Sequence, residues 1–142
     1  MPFFCDTSVL FAASDRAHQH HAQSLARVSA AQRGDAFCAA QSLAELYATL
    51  TATPQPKMRR TEDVLAGVEQ AALTFTTVSL SVAEYLWVLR HVAGRGARSG
   101  QVYDALILKC AEKCGADIVY TWNTAHFLRI AWPEMLPLIR TP

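Results

Sequence analysis

Short apolar segments with strand character alternate along this chain with longer segments of helical period, and few architectures accept that alternation. Residues 3–6, 36–38, 75–80 and 117–121 are apolar or rich in β-branched side chains and read as strands. Between them, the period predicts helices over 18–31, closed by Gly34, and over 42–51, where Leu43, Leu46, Tyr47 and Leu50 form one stripe. Pro54-Gln55-Pro56 stops that helix, and Thr61 with Glu62 and Asp63 in its first turn starts the next, running to 73. Further helices are expected over 81–92, where Ser81 and Glu84 have capping-box spacing, over 102–114, closed by Gly115, and over 124–130. Leu138-Ile139 adds an edge strand. The expected fold is therefore α/β: a three-layer α/β/α sandwich around a central, mainly parallel sheet of four to five strands.

A chain of 142 residues, 51% hydrophobic and 18% charged, suits one domain spanning 1–142 with a sizeable core. A net charge of +1 supplies no global field for a polyanion, so any nucleic-acid binding must rest on local patches. Cys5, Cys38, Cys110 and Cys114 lie in apolar surroundings and read as reduced core thiols; Cys110 and Cys114 have helical spacing, but no second pair completes a metal site. The first residues lack a basic leader and no apolar run is long enough to span a membrane, so a soluble, cytoplasmic protein is expected.

Four polar residues stand out from this apolar background. In an open parallel sheet, ligands bind in the crevice at the carboxyl ends of the strands, and Asp6 and Asn123 both fall there. Glu45 interrupts the run Ser42-Leu43-Ala44-Glu45-Leu46-Tyr47, and Asp104 interrupts Val102-Tyr103-Asp104-Ala105-Leu106-Ile107, where an uncompensated carboxylate is costly. Acids converging in one crevice repel unless a divalent cation holds them, and an all-oxygen site suits Mg²⁺ or Mn²⁺. Taken singly, each has a plainer reading: Asp6 as a helix cap, Glu45 as a solvated helix position, Asp104 as a first-turn acid favoured by the helix dipole. Their matched contexts, taken together, point to a site.

Asp6-Thr7-Ser8-Val9-Leu10 resembles the opening motif of PIN domains. Ser42-Leu43-Ala44-Glu45 is similar to that family's glutamate-bearing helix, Tyr103-Asp104-Ala105-Leu106-Ile107 to its third-acid helix, and Thr121-Trp122-Asn123-Thr124-Ala125-His126-Phe127 to its strand-end motif. Gly100-Gln101-Val102 ahead of Asp104 resembles the VapC-type toxins among them. The resemblance departs at one point: the positions where many PIN domains place a fourth acid hold Asn123 and His126. It implies a metal-dependent endoribonuclease, with Asp6 and Asp104 on Mg²⁺ (Mn²⁺ substituting) and Glu45 acting through coordinated water or as a base. Asn123 would complete the catalytic set without charge, which favours one firmly held ion over two. It further implies RNA as substrate, a small antitoxin as partner, and a homodimer that forms a heterotetramer or larger assembly with it. A PIN nuclease of RNA processing outside toxin–antitoxin systems and a degenerate nucleic-acid-binding module are the alternatives.

Around that core, Thr7, Ser8 and Thr121 offer hydroxyls for water or phosphate. The arginines Arg90, Arg95 and Arg98 flank a glycine loop that leads into the Asp104 helix, and Lys57, Arg59 and Arg60 form a second basic cluster. Arg95 and Arg98 are the favoured phosphate contacts. Trp122, beside Asn123, is a candidate for base stacking, whereas Trp87 and Trp132 read as core or interface. His18, His20 and His21 lack helical ligand spacing and read as an exposed helix start.

Overall fold

In the computed structural model, which describes residues 1–52, 54 and 58–142, five strands form one parallel sheet in the order β3-β2-β1-β4-β5. The strands are β1 (Phe3–Cys5), β2 (Ala36–Ala39), β3 (Thr76–Val78), β4 (Ile118–Tyr120) and β5 (Ile139–Arg140). Helices α1 (Thr7–Ser14) and α2 (His21–Ser29) connect β1 to β2, and α3 (Ala40–Thr51) and α4 (Thr61–Thr74) connect β2 to β3. Helices α5 (Val82–Gly94) and α6 (Gln101–Lys113) cross from β3 to β4, and α7 (Thr124–Ile130) leads toward β5.

Both faces of the sheet are covered by helices, so successive residues along a strand face different layers. Phe4, Ala39 and Val119 point into a core shared with Val88, Val92, Leu106, Leu108 and Phe127 of α5, α6 and α7. Their neighbours Cys5, Ala36, Cys38 and Tyr120 point the other way, onto Val9, Leu10, Leu46, Leu50, Val64 and Val68 of α1, α3 and α4. A period of two on the strands thus generates the three layers. Phe4, Phe75 and Phe127 are fully buried and anchor these cores, each contributing about 2–3 kcal/mol by removal from water.

The strand order places the topological switch between β1 and β4: the chain steps outward from β1 to β2 and β3, then returns to the far side of β1 for β4 and β5. Loops leaving β1 and β4 diverge there and open a crevice above the carboxyl ends of the two strands.

Element boundaries depart from expectation in a few places. The helix expected over 18–31 begins only at His21, because residues 15–20 fold into turns held by Asp15 and His18. The Asp15 side chain accepts from Ala17 N–H at 3.1 Å, and His18 Nδ1 accepts from His20 N–H at 3.0 Å. Local side-chain acceptors compete here with the helical ladder. The third strand is trimmed to Thr76–Val78, since Phe75 N–H still closes α4 on Ala71 and Ser81 already caps α5. Gln55, Pro56 and Lys57, expected within a helix break and a basic cluster, lie outside the described residues. Among the described residues, no helix is long and apolar enough to cross a membrane.

Candidate metal centre

Asp6 directly follows β1 and is the N-cap of α1, with backbone φ −69° and ψ 159°. Such a position holds a side chain firmly, because the cap fixes its backbone and its oxygens face the helix's unpaired N–H groups. Oδ1 accepts from Thr7 N–H at 2.7 Å, and Oδ2 accepts from Ser8 Oγ at 2.8 Å and Thr121 Oγ1 at 2.9 Å. The residue is only 3% exposed. Burial pushes its carboxyl above the usual range, and these hydrogen bonds only partly offset that effect.

Glu45 comes from α3 in the layer on the α1 side of the sheet. Its Oε2 takes a hydrogen bond from Thr7 Oγ1 at 3.0 Å, and Gln41, one turn earlier, donates to Oε1. Thr7 Oγ1 also bonds the buried Ser42 hydroxyl at 2.7 Å, tying α1 to α3 beneath the acids. Asp104 comes from the opposite layer, in the first turn of α6. Burial first, and then the charges of Asp6 and Glu45 against the opposing pull of His126, raise its carboxyl to about 6. That interaction places all three acids within electrostatic reach of one another. Together with Asn123 they line a single cleft of about 220 Å³ above the sheet's carboxyl edge.

Asn123 is exposed and starts α7 without a side-chain cap bond, leaving its amide available. Thr121 is fully buried; it holds Asp6 and accepts from Asn123 N–H at 3.0 Å. Ser8 accepts from Trp122 N–H at 3.0 Å while donating to Asp6. The hydroxyls of Thr7, Ser8 and Thr121, expected to meet water or phosphate, are thus engaged in fixing the acids. Trp122 has one ring face covered by His20, with centroids 3.7 Å apart and planes within 8°, and its indole N–H donates to Ser24 Oγ at 2.8 Å. A base can stack there only on the remaining face. The histidines expected at an exposed helix start are half-buried and bonded: His21 Nδ1 lies 2.9 Å from Ala12 O, and His20 carries the Trp122 stack.

The arginines separate. Arg95 donates to the Arg129 carbonyl at 3.0 Å, which draws it toward α7, whereas Arg98 lines a cleft with Asp104 and His126. Arg59 pairs with Asp15 and Arg60 with Glu62, which directs that basic group to local partners. Trp132 is buried, and Trp87 packs edge-on against it under Lys109. The cysteines form no disulfide, and burial raises the thiols of Cys38 and Cys110 to about 12. Residues that sequence reasoning passed over are Ser42 and Gln41. Their spacing from Glu45, three and four residues back on one helix face, was the available signal.

Among the described residues, no three His, Cys, Asp or Glu side chains form a ready-made metal cage. The donor chemistry nonetheless fits a hard divalent cation: three carboxylates and an amide oxygen share one cleft, and none of the acids has a Lys or Arg ion pair among the described residues. A buried carboxylate without a cation is the arrangement that metal binding relieves.

A PIN-domain family model matches residues 3–133, and the chain belongs to that family. PIN domains are generally divalent-metal-dependent nucleases. The fold is similar to VapBC2 from Rickettsia felis bound to a DNA fragment from their promoter, at 16% identity and a TM-score of 0.68, covering 100% of this chain and 99% of that one. It is also similar to FitAB bound to an IR36 DNA fragment, at 16% identity and a TM-score of 0.61 over 90% of each chain. No curated protein matches in sequence.

Proposed function

We propose that this chain is a Mg²⁺-dependent endoribonuclease, the toxin of a VapBC-type toxin–antitoxin pair. The observation that carries the reading is the buried Asp6, held at both oxygens beside Glu45 and Asp104 in one cleft with no cationic partner among the described residues. Asp6 and Asp104 would hold the metal. When bound, the ion activates water and neutralises charge on the scissile phosphate. Glu45, in the same cleft, takes up the proton of the attacking water, and its tether to Thr7 and Gln41 keeps it in place for that. Asn123 offers a neutral carbonyl or amide to water or phosphate, so a single firmly held ion is the preferred state.

The likeness to the VapBC2 assembly supports a small antitoxin as partner; a homodimer that forms a heterotetramer or larger complex with it is the assembly that goes with this reading. RNA is the substrate class that we favour.

Replacing Asp6 or Asp104 by Asn keeps shape and removes charge. Either change is expected to abolish RNA cleavage and growth inhibition; full retained cleavage by the folded variants would sink the proposal. A degenerate binding module is the second reading, favoured by the lack of a preformed three-ligand cage among the described residues. Mn²⁺ titration separates the two, since that module does not bind the ion.

A further inference from the structure

The acidic cleft adjoins a larger one at Asp104. Asp104 also lines a second cleft of about 680 Å³, bounded by the loop Gly96–Gly100, by Gln101 at the start of α6, and by His126 on α7. Its chemistry differs from that of the first. Arg98 and His126 face it, and neither side chain has a hydrogen bond or ion pair among the described residues. Arg98 is held at its backbone instead, where its N–H donates to Gln101 Oε1 at 3.0 Å. The loop wall carries little bulk: a Cβ placed on Gly96 or Gly100 would meet nothing within 4 Å. A polymer backbone can therefore approach closely.

Electrostatics requires something of this kind. A metal between the acids neutralises the phosphate being cleaved, but the next phosphate along the strand still meets the field of three carboxylates. The molecule's net charge of +1 offers no broad compensation. Resting on the nuclease reading above, we propose that Arg98 and His126 form a subsite for the phosphate adjacent to the scissile one, so that single-stranded RNA runs across both clefts past Asp104. Arg98 supplies a fixed charge and a fork of donors, and His126 supplies a ring N–H. His126 lies close enough to Asp104 to influence its carboxyl, as the adjacency requires. Arg95, turned to the Arg129 carbonyl, takes no part in it.

Arg98→Ala and His126→Ala test this in the full chain, with Arg33→Ala as a control that removes a charge near the opposite, amino end of the strands. Binding is read by fluorescence anisotropy on a labelled single-stranded RNA of about twelve nucleotides, within the span such grooves track, in Ca²⁺ without turnover. Cleavage is read in Mg²⁺ on the same RNA and on a dinucleoside monophosphate. Each cleft variant should weaken binding by about tenfold, as expected for one charge-assisted contact. Arg98→Ala should also flatten the salt dependence by about one phosphate's share. On the long RNA the loss should appear in KM rather than kcat, and on the dinucleoside monophosphate, which has no neighbouring phosphate, the KM ratio to wild type should return toward one.

Equal binding by wild type and both cleft variants overturns the subsite, as does the same KM penalty on both substrates or an equal loss in the Arg33 control. Wild type that binds RNA through Arg98 and His126 yet never cleaves it overturns the nuclease reading and supports the two residues as an RNA-phosphate contact only. Wild type that does not bind RNA overturns both.

Discussion

Asp104 is the residue at which the site's strain becomes measurable. Its carboxyl sits at about 6, first because of burial and then because of Asp6 and Glu45, against an ordinary value of 3.8. The folded state therefore holds more protons than the unfolded state between those values, and folding stability falls as pH rises through that window. Asp6, raised in the same direction by burial, reinforces the trend. Thermal unfolding of metal-free protein should show a midpoint that climbs as pH drops from 7 toward 4, and Asp104→Asn should blunt that climb. At pH 7 without metal the same variant should melt higher than wild type by about 2–4 °C, the shift that roughly 1 kcal/mol produces in a chain of this size. A lower midpoint for the variant would mean that Asp104 is structurally compensated rather than strained. On the proposed metal-dependent reading, Mn²⁺ affinity measured by titration should run the opposite way, weakening below about pH 6 as protons compete for Asp104.

At the scale of elements, the site depends on how abruptly strands become helices. Asp6 is the single residue between β1 and α1 and caps the helix, so both elements jointly aim its carboxylate. The return from α6 to β4 takes residues 114–117 and turns through Gly115 at φ +68°. A Cβ there would meet nothing within 4 Å, so Gly115→Ala isolates the backbone penalty of the left-handed conformation. A loss of about 1–2 kcal/mol in urea unfolding is expected, with Asp104 geometry and cleavage retained. The capping box of α5 was readable from spacing, and both of its bonds are present, at 2.8 and 3.2 Å between Ser81 and Glu84. The late start of α2 was not readable, because its period continues through residues 18–20. Only the bonds made by Asp15 and His18, together with the docking of His20 on Trp122, divert that stretch from the helix.

For the whole molecule, the consequence of assembling acids from opposite layers is that a metal held between them would link its binding to folding. Glu45 belongs to the layer on one face of the sheet and Asp104 to the layer on the other, with Asp6 at the edge between them. An ion held by Asp6 and Asp104 therefore fastens α1 to α6. Mn²⁺ at about one hundred times its Kd should add about 2.7 kcal/mol to stability and raise Tm by several degrees, and Asp6→Asn should erase the effect. A wild-type midpoint that ignores Mn²⁺ would favour the degenerate-module reading.

Local pattern was enough to indicate the layered parallel fold, because a period of two and a helical period are properties of neighbouring residues. It also marked Asp6 by its place at a strand end, and Glu45 and Asp104 as carboxylates inside apolar runs, and the fold brings these three to one cleft. What each polar group does once there was decided by packing between residues far apart in the chain. Thr7, Ser8 and Thr121 look alike in sequence as hydroxyls beside a site, yet Thr121, 115 positions from Asp6, is its buried donor. Arg95 and Arg98 stand three apart in one loop, and only the approach of α7 separates them, taking Arg95 to a carbonyl and leaving Arg98 beside His126 and Asp104. Hydrogen bonding and charge act over a few ångströms, and those distances are set by the tertiary fold.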